Sequence, residues 1–277
     1  MPVSAIVGSV LNVPLILQPD PEDADAALFM IDGTVAGRPY QFLLDTGAAR
    51  SQMDADDYIS ALPAVAEHTS SGAFASETKP VVTVTDLAIQ ELRIPALEVV
   101  RVPPLPEHPR TLIGMDVLTR HRCHFRFDAS VLELDGPDVP EPALPLVLDR
   151  RGHCYVDVSW PARSGRARVT GRACWDTGAD ATIVNESFWR AHPDLFEETG
   201  TTLGTDSTGA QMRTSTLATP GYEIGGRMFA GHEAVAVDLT RANAAIEIPM
   251  DLILGYPTLR QANWLFDFPA RRWTLTR

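Results

Sequence analysis

The sequence predicts an all-β protein of two lobes with few short helices, and three observations carry that prediction. Its apolar runs are short and are separated by turn residues, of which the chain has 22 Pro and 19 Gly in 277 residues. A proline-rich stretch divides the chain near its middle. The sequence Asp-Thr-Gly-Ala follows an apolar run once on each side of that stretch. Many short strands with few helices are typical of a mostly β architecture.

The strand predictions rest on short runs of β-branched, aromatic and aliphatic residues bounded by Gly, Pro or Asp. They are ALFMIDGTV (27–35), YQFLLDT (40–46), KPVVTVTDLAI (79–89), LEVVRV (97–102), CHFRFD (123–128) and VLEL (131–134). Residues 3–17 are predicted to be strand rather than a signal segment, because no Lys or Arg precedes them and polar residues interrupt them. Short helices are predicted in DADDYISAL (54–62), DVLTRH (116–121) and ESFWRAH (186–192).

The proline-rich stretch from Asp135 to Val147 contains four prolines, which neither a helix nor the interior of a sheet accommodates. We therefore expect an extended linker there. The predicted domains are an N-terminal lobe of residues 1–136, a linker of residues 137–147 and a C-terminal lobe of residues 148–277.

The two halves carry the same signals in the same order. Asp45 and Asp176 are 176 − 45 = 131 residues apart. Farther along, the glycines of TLIGMDVL and LILGYPTL, Gly114 and Gly255, are 255 − 114 = 141 residues apart. The phenylalanines of the two segments that follow, FRFDASVLEL and LFDFPARRWTL, keep the same spacing. Three ordered matches predict an internal duplication, with 141 − 131 = 10 extra residues in the second copy.

An Asp-Thr-Gly turn at the end of a buried strand holds its carboxylate in a defined place. Glycine lets the backbone turn tightly, and the Thr hydroxyl can hydrogen-bond neighbouring backbone groups. One such turn is common in β proteins, but two related by approximate two-fold symmetry would bring Asp45 and Asp176 into one site. The pair would then share one proton. One member could accept a proton from water while the other donates to a carbonyl oxygen, which is peptide hydrolysis by general acid–base catalysis.

With these motifs the chain resembles a retropepsin-like aspartic protease, duplicated and fused in a single chain. The sequence DTGAD at 176–180 is similar to the retroviral form. The sequence LIGMDVLTRHRC at 112–123 is similar to the protease domain of the DNA-damage-inducible ubiquitin-receptor proteins. The resemblance covers about residues 27–134 and 155–275, and it implies a bilobal acid-protease fold with one retropepsin-like lobe on each side of a cleft.

The resemblance also implies roles for the residues of the motif and around it. The catalytic pair would be Asp45 and Asp176. The support of the two catalytic loops would come from a threonine brace across the lobe interface and from the turn glycines, namely Thr46, Gly47, Thr177 and Gly178. Contacts to the substrate would come from the residues that follow, namely Ala48, Ala49, Ala179 and Asp180. Because Asp180 corresponds to Ala49 in the first lobe, the cleft is expected to be asymmetric.

Each apolar-apolar-Gly element, Leu112-Ile113-Gly114 and Ile253-Leu254-Gly255, would cross behind one catalytic loop. Retroviral enzymes have an arginine after this element, where this chain has Met115 and Tyr256. The ion pair that this arginine makes between subunits is therefore not carried over to this chain.

Two Gly-rich segments are the predicted flaps, the β-hairpins that close a retropepsin cleft. They are TSSGAFAS (69–76) and TDSTGAQMR (205–213), and their glycines lie 72 − 45 = 27 and 209 − 176 = 33 residues after the aspartates. Neither carries the tyrosine that pepsin-type flaps have. Flap contacts to the substrate would then come from backbone groups, at Gly72, Ala73, Gly209 and Ala210.

Composition restricts the partners. The chain has 36 acidic and 23 Lys or Arg residues, a net charge of −13, which argues against a nucleic-acid partner. No apolar segment is long enough to predict a membrane span. Three cysteines are too few for a disulfide framework, so we expect a reducing, cytoplasmic environment. The expected partner is a peptide or protein substrate, and the expected active unit is a monomer, because both halves of the dyad lie in one chain.

Two alternatives to this interpretation remain open at the level of sequence. A chain of this fold could bind peptides without cutting them, as a non-catalytic pseudoprotease module. The sequence HRCH, from His121 to His124, offers possible zinc ligands, but no second cluster supplies the remaining ones at suitable spacing. Neither a metal nor an organic cofactor is therefore expected.

Overall fold

The computed structural model describes residues 10–21, 23–71, 76–105, 109–162, 167–206 and 208–276. The strands of the N-terminal half are β1 (Leu11–Pro14), β2 (Ile16–Pro19), β3 (Ala27–Val35), β4 (Arg38–Leu44), β5 (Gln52–Asp54), β6 (Ala64–Ser71), β7 (Ser76–Ile89), β8 (Leu92–Val102), β9 (Leu112–Ile113), β10 (Arg122–Arg126) and β11 (Val131–Leu134). Its helices are α1 (Asp57–Ala61) and α2 (Met115–Leu118).

The strands of the C-terminal half are β12 (Leu144–Pro145), β13 (Val147–Leu148), β14 (Cys154–Trp160), β15 (Val169–Trp175), β16 (Thr182–Asn185), β17 (Glu197–Thr205), β18 (Gln211–Ala218), β19 (Tyr222–Ile224), β20 (Arg227–Phe229), β21 (Glu233–Val237), β22 (Leu252–Leu254), β23 (Asn263–Asp267) and β24 (Arg272–Thr276). Its helices are α3 (Glu186–Ala191), a 3-10 turn (Pro193–Leu195), α4 (Thr240–Ala245) and α5 (Tyr256–Leu259). The all-β prediction is confirmed.

A six-stranded sheet joins the two lobes, with the strand order β1-β11-β10-β23-β24-β12. Each lobe supplies a hairpin and an outer strand, and the two hairpins meet where β10 pairs antiparallel with β23. In that pairing His124 lies opposite Leu265. These residues are 265 − 124 = 141 positions apart, the spacing that also separates Gly114 from Gly255. Equivalent residues thus face each other at the centre of the sheet, which places an approximate two-fold axis between the lobes.

Each lobe also has a sheet of its own, and both are arranged alike around the Asp-Thr-Gly turn. The first sheet has the order β2-β3-β4-β9-β5-β8-β7-β6, and the second has β17-β18-β21-β16-β22-β15-β14-β19-β20, with β13 paired to β14. In the first lobe β9 runs parallel to β4 and antiparallel to β5. In the second lobe β22 runs parallel to β15 and antiparallel to β16. One short strand therefore ties together the two strands that flank each turn.

The C-terminal lobe is longer between its last large strand and the short strand behind the turn. Val102 and Leu112 are 112 − 102 = 10 positions apart, whereas Val237 and Leu252 are 252 − 237 = 15 positions apart. The helix α4 occupies the longer connection. Asn243 fixes it, because its side-chain amide donates to the Met250 carbonyl at 3.0 Å and accepts from the Met250 amide at 2.9 Å. Helix α4 also contacts β6 of the first lobe, so this addition contributes to the contacts between the lobes.

An aromatic cluster packs beneath the second Asp-Thr-Gly turn. The ring of Trp175 lies 4.7 Å from Phe125, 4.8 Å from Phe266 and 5.6 Å from Trp264, measured between centroids, and all four side chains are fully buried. Phe125 belongs to the first lobe and the other three to the second, so the cluster also joins the lobes. Truncating a buried aromatic of this size typically costs about 3–5 kcal/mol. We therefore regard Trp175 as a main anchor of the turn that follows it.

The predicted strands at 27–35 and 131–134 coincide with β3 and β11. The helix predicted at 54–62 is shorter, because Asp54 still belongs to β5 and the Asp56 side chain caps α1 by accepting from the Ile59 amide at 2.7 Å. The helices α4 and α5 were not predicted. No helix in the described ranges is long and apolar enough to cross a membrane.

Two of the predicted segments contain strands of the central sheet. From residue 10 onward the predicted N-terminal strand forms two, β1 and β2, separated at Leu15. Within the predicted linker of residues 137–147, β12 pairs with β24. The segment between the lobes is therefore partly tied to the central sheet, and the predicted lobe boundaries stay a prediction.

Candidate active site

The two Asp-Thr-Gly turns begin directly after β4 and β15 and meet at the boundary between the lobes. The short strand behind each turn holds its first residue. The Asp45 amide donates to the Ile113 carbonyl at 3.0 Å, and the Asp176 amide donates to the Leu254 carbonyl at 3.1 Å. These bonds continue the parallel pairing of β4 with β9 and of β15 with β22 by one residue. Both carboxyl groups are thereby held at corresponding ends of two rigid strands.

The threonines of the two turns form a reciprocal hydrogen-bonded brace. The Thr46 amide donates to Thr177 Oγ1 at 3.1 Å, and the Thr177 amide donates to Thr46 Oγ1 at 3.0 Å. Each hydroxyl then donates to the strand of the opposite lobe, Thr46 to the Trp175 carbonyl at 2.8 Å and Thr177 to the Leu44 carbonyl at 2.6 Å. Both threonines are fully buried. Four buried bonds therefore cross between the lobes directly beneath the aspartates.

The turn glycines leave the space that brings the two carboxyl groups together. A Cβ atom on Gly47 would lie 2.3 Å from Asp176 Oδ2, and one on Gly178 would lie 2.4 Å from Asp45 Cγ. Both distances are far below van der Waals contact, so only a hydrogen fits at these positions. The Gly47 amide donates to Asp176 Oδ1 at 3.0 Å, which ties the first turn to the carboxyl group of the second. The structure thus brings the two predicted catalytic residues into one site.

Burial raises the pKa of both aspartates above their ordinary range. The pKa of Asp45 is raised well above it, because the negative charge of Asp176 adds to the effect of burial. Backbone donors oppose the shift: Ala48 donates to Asp45 Oδ1 at 2.9 Å, and Gly178 donates to Asp176 Oδ1 at 2.8 Å. The side chains lie deep among protein atoms, while each residue keeps part of its surface open to the cleft.

The glycines of the apolar-apolar-Gly elements let β9 and β22 approach the backs of the turns. A Cβ atom on Gly114 would lie 2.7 Å from the Ala48 carbonyl oxygen, and one on Gly255 would lie 2.1 Å from the Ala181 carbonyl oxygen. The amide of the residue after each glycine donates to the catalytic loop, to Ala48 at 2.9 Å and to Ala179 at 3.0 Å. Each catalytic loop is therefore held from behind by backbone bonds that tolerate no larger residue.

The chain is similar to known aspartic proteases both in sequence and in fold. Residues 31–120 match the family described as gag-polyprotein putative aspartyl protease. Among solved structures the chain is similar to the aspartic proteinase from Irpex lacteus, with a TM-score of 0.60 and 13% identity over 97% of both chains. The predicted resemblance to retropepsin-like aspartic proteases is confirmed. None of the curated proteins compared matches the sequence.

The two findings cover different parts of the prediction. The structural likeness spans both lobes, so the bilobal acid-protease fold is confirmed. The family match includes Asp45 and bears out the aspartic peptidase class, and it ends before Asp176. The second half of the dyad therefore rests on the contacts described above rather than on the family match.

Behind the first catalytic loop lies a support that sequence reasoning did not identify. Asp116, the second residue of α2, accepts from the Ser51 hydroxyl at 2.7 Å and from the Ser51 amide at 3.0 Å. Ser51 Oγ in turn accepts from the Gly114 amide at 3.1 Å. Burial raises the pKa of Asp116. An acidic residue directly after Gly114-Met115, within an otherwise apolar segment, was the available signal.

In the second lobe, hydroxyl groups and a histidine support the catalytic loop from behind. Thr182 Oγ1 accepts from the Gly255 amide at 3.4 Å and lies 3.0 Å from Thr258 Oγ1. The Thr258 hydroxyl also lies 2.6 Å from the Tyr222 hydroxyl and 3.0 Å from His232 Nε2. Burial lowers the pKa of His232, which favours its neutral form. This network was also missed, because its members come from four separate segments.

The residues predicted to contact substrate flank the dyad. Ala48, Ala49, Ala179 and Asp180 are all half-buried. The Ala48 amide donates to Asp45, and Ala49 borders an open groove that residues of both lobes line. These positions lie on the cleft side of the catalytic loops, and their contact with substrate stays a prediction.

The predicted flaps lie at the ends of two long hairpins, β6–β7 and β17–β18. Gly72 and Ala73 fall outside the described residues. The second tip is an ordered turn in which Asp206 Oδ1 accepts from the Thr208 amide at 2.9 Å and from the Ala210 amide at 3.2 Å. Gly209 has a φ of +86°, and a Cβ atom there would lie 2.8 Å from Leu105 Cδ1. The second flap therefore reaches across to the first lobe.

The positions where retroviral enzymes carry arginine have a packing role in this chain. Met115 is fully buried, and the Tyr256 ring lies 5.4 Å from the Phe29 ring of the other lobe. The guanidinium of Arg260 lies 5.3 Å from the Tyr256 ring centre and pairs with Asp25 at 2.6 Å. The ion pair between Arg260 and Asp25, which come from different lobes, thus lies beside the tyrosine that stands where retroviral enzymes have arginine.

The HRCH segment lies in the central sheet. His121 Nδ1 is 2.8 Å from Asp135 Oδ2, and His124 lies 2.9 Å from both Glu133 Oε2 and Thr276 Oγ1. In the part of the chain that the structure describes, no group of three or more His, Cys, Asp or Glu side chains is arranged to hold a metal ion.

Proposed function

We propose that the protein is an aspartic endopeptidase in which Asp45 and Asp176, one from each lobe, form the catalytic dyad. The observation that carries this proposal is the reciprocal fit of the turns, in which each glycine leaves space for the aspartate of the other lobe. Such a fit keeps two buried carboxyl groups close enough to share a proton. It needs both lobes, since each lobe supplies one acid and one glycine.

We assign the shared proton to Asp45 and the negative charge to Asp176. The amides of Gly47 and Gly178 both donate to Asp176 Oδ1 and favour the ionised form of Asp176, whereas Asp45 Oδ1 accepts from the Ala48 amide. In this assignment Asp176 accepts a proton from a water molecule whose oxygen attacks the peptide carbonyl carbon. Asp45 gives its proton to the carbonyl oxygen, which yields a neutral tetrahedral diol.

Collapse of the diol completes hydrolysis. The C–N bond breaks, the proton held by Asp176 passes to the leaving nitrogen, and a diol proton returns to Asp45. The products are a carboxylic acid and an amine, and the dyad again holds one proton. No covalent bond to the protein forms, so the reaction depends on the position of two carboxyl groups and one water.

The decisive experiment is incubation with a peptide library, read by mass spectrometry. We expect cleavage by the wild type and a loss of at least about 1,000-fold in kcat/KM for both Asp45→Asn and Asp176→Asn. Asp128→Asn is the matched control, because Asp128 is an exposed aspartate outside the site. Binding of peptides without cleavage by the wild type would favour the pseudoprotease alternative, and activity surviving in either Asn variant would exclude the shared-proton mechanism.

We further propose that the active unit is a monomer, that the lobes extend over residues 1–136 and 148–277, and that they arose by internal duplication. The matched strand orders of the two lobes and the 141-residue spacing across the central sheet support the duplication. We propose a cytoplasmic location, which three buried and unpaired cysteines support. The substrate is a peptide or protein, and neither a metal, nucleic acid nor membrane takes part.

A further inference from the structure

A groove of about 870 Å³ opens beside the first catalytic loop. Its lining includes Ala49-Arg50, which follow the catalytic turn directly, and His68 and Thr69 on the strand β6 that leads to the first flap. The segment 148–152 at the start of the second lobe also lines it. An extended peptide lying between catalytic loop and flap would pass along this groove. We call it the basic groove, for the following reason.

Five arginines line the basic groove, namely Arg50, Arg120, Arg150, Arg151 and Arg271. Three acids line it as well, but two of them are turned inward and engaged. Asp116 is bonded to Ser51, and the Asp149 side chain is fully buried and accepts from the His153 ring at 2.7 Å. Only Glu98 offers an exposed carboxylate, 3.4 Å from Arg50. The groove therefore carries excess positive charge in a chain whose net charge is −13.

Three of the five arginines of the basic groove make no ion pair within the described residues. Arg150 pairs with Glu247 at 3.1 Å through an exposed contact. Within the described residues, the side chains of Arg120, Arg151 and Arg271 have no carboxylate within ion-pair distance. The pKa of His68 responds to the positive charge of the groove. Burial lowers this pKa, and the guanidinium groups of Arg50 and Arg151 lower it further. Two guanidinium groups from different lobes therefore face the same space.

The equivalent positions of Arg50 and of the segment around β13 carry no arginine in the other lobe. Adding the 131-residue spacing of the turns to Arg50 gives Ala181. The first-lobe strand that corresponds to β13 is β2, and residues 16–21 around it contain no Arg or Lys. If these arginines had a role in folding that both lobes share, arginines would be expected on both sides. Their presence on one side points instead to the asymmetric molecule that lies in the cleft.

We propose that the basic groove binds an acidic side chain, Asp or Glu, of the peptide substrate, a few residues from the bond that is cut. Arg50 and Arg151 are the residues assigned to the carboxylate, because they come from different lobes, both line the groove and both act on His68. This inference rests on the proposed peptidase function. Along an extended peptide every second side chain points the same way, so one such contact also fixes the register in which the substrate lies.

The test uses one cleavable peptide and a series in which each position in turn is Glu, Gln or Lys. At one position, on one side of the cut, we expect kcat/KM for Glu to exceed that for Gln by about 10-fold, as for a hydrogen bond to a charged group. The difference should lie mainly in KM and should shrink as salt is raised. Arg50→Gln and Arg151→Gln should each reduce the preference, and Arg151→Glu should turn it towards Lys.

The matched control is Arg168→Gln, an arginine of the second lobe that pairs with Glu223 outside the groove and should leave the preference unchanged. The outcomes separate the two proposals. If the wild type cuts no peptide, the peptidase proposal fails. If it cuts peptides but no position distinguishes Glu from Gln, the basic-groove proposal alone is wrong. A preference for Glu that survives both Arg50→Gln and Arg151→Glu would also overturn it.

Discussion

The two catalytic turns share their backbone contacts and differ in what supports them. In both, the aspartate amide donates to the short strand behind the turn, the threonine donates across the lobe boundary, and glycine lies where the opposite aspartate approaches. Behind the first turn, Ser51 connects to the carboxyl of Asp116. Behind the second, Thr182 connects to Thr258. The threonine brace and the glycine packing across the lobe boundary are symmetric, whereas the side chains that support each turn from behind differ.

This difference indicates which features the chemistry requires. A contact between the lobes must fit both partners, so a change on one side needs a matching change on the other. A support within one lobe can be replaced by any group that holds the same backbone atom. Accordingly the amides of Gly114 and Gly255 each donate to a hydroxyl. That hydroxyl is held by a buried carboxyl in the first lobe and by a second hydroxyl in the second lobe. Substitutions at shared contacts should therefore have larger and more equal effects than substitutions in the supports.

Outside the two aspartates themselves, the largest effects are expected at the turn glycines. Gly47→Ala and Gly178→Ala would each place a Cβ atom within about 2.5 Å of the opposite carboxyl group and force the pair apart. Because a misplacement of about 1 Å can cost about 100-fold in rate, we expect kcat/KM to fall by at least about 100-fold in both variants. The symmetric contact predicts equal losses.

The control for these variants is Gly136→Ala, where an added Cβ atom would meet nothing closer than 3.6 Å. Thermal unfolding of all three variants would separate a displaced dyad from a failure to fold. If one turn variant kept activity within a few-fold of the wild type, the reciprocal fit would not be the feature that the dyad requires.

The next effects are expected in the threonine brace. Thr46→Val and Thr177→Val each remove the acceptor of one buried amide and the donor to one strand carbonyl. Unsatisfied buried groups cost about 1–3 kcal/mol, so we expect each variant to lower the free energy of unfolding by that amount. The measurement is denaturant unfolding, with Thr46→Ser as the variant that keeps the hydroxyl.

A double-mutant cycle would sharpen the comparison of the lobes. The two threonines bond each other, so the cost in the double variant should be less than the sum of the single costs. Additive costs would show that the two halves of the brace act independently, against the reciprocal arrangement.

Much of this arrangement could be predicted from the sequence, because it depends on local motifs. Asp45 and Asp176 stand out as the repeated acids of one motif, and strands such as β3 are bounded by Gly, Pro and Asp. The 141-residue spacing between Gly114 and Gly255 recurs between the phenylalanines that follow them. It indicated which short strand lies behind each catalytic turn. These features recur in both halves of the chain, so one half can be compared with the other within a single sequence.

Features that depend on distant segments could not be predicted in this way. The contacts of Tyr222 and His232 behind the second turn join residues with no common spacing. The basic groove combines Arg50 with Arg151, which are 151 − 50 = 101 positions apart and belong to different lobes. Helix α5 begins at Tyr256 and has proline as its second residue, and its four residues are too short to show a helical periodicity.

A smaller effect is expected in the pH dependence of activity. Burial and the neighbouring charge raise the pKa values of the dyad, and Ala48 and Ala179 provide no hydroxyl that would stabilise the ionised form. A dyad with one proton exists between the two pKa values of the pair, so raised values move the active range upward. We expect an optimum less acidic than that of pepsin-type enzymes, and a bell centred at about pH 2 would contradict this.

The pH dependence of folding stability tests the same pKa shifts independently of activity. A carboxyl whose pKa is raised in the folded state favours folding while it is protonated, and that contribution is lost as pH rises through the folded pKa. Asp176→Asn removes the buried negative charge, so at neutral pH it should raise Tm by about 2–4 °C relative to the wild type. The gain should shrink as the pH falls and the wild-type dyad becomes protonated. A gain independent of pH would mean that charge is not its cause.

The smallest effect, no change at all, is expected when the protein is diluted. In a homodimeric retropepsin the dyad forms between two chains, so dilution below the dissociation constant removes the site. Here the lobes are joined by the segment from Asp135 to Val147 and by the pairing of β10 with β23, which makes their association intramolecular. The ion pair of Arg260 with Asp25 and the threonine brace add further contacts between lobes of the same chain. We expect constant specific activity over about a thousandfold dilution and a molar mass of 30.2 kDa by light scattering. Activity that falls with dilution, together with a mass twice that value at high concentration, would mean that two chains exchange lobes and that the dyad is assembled between them.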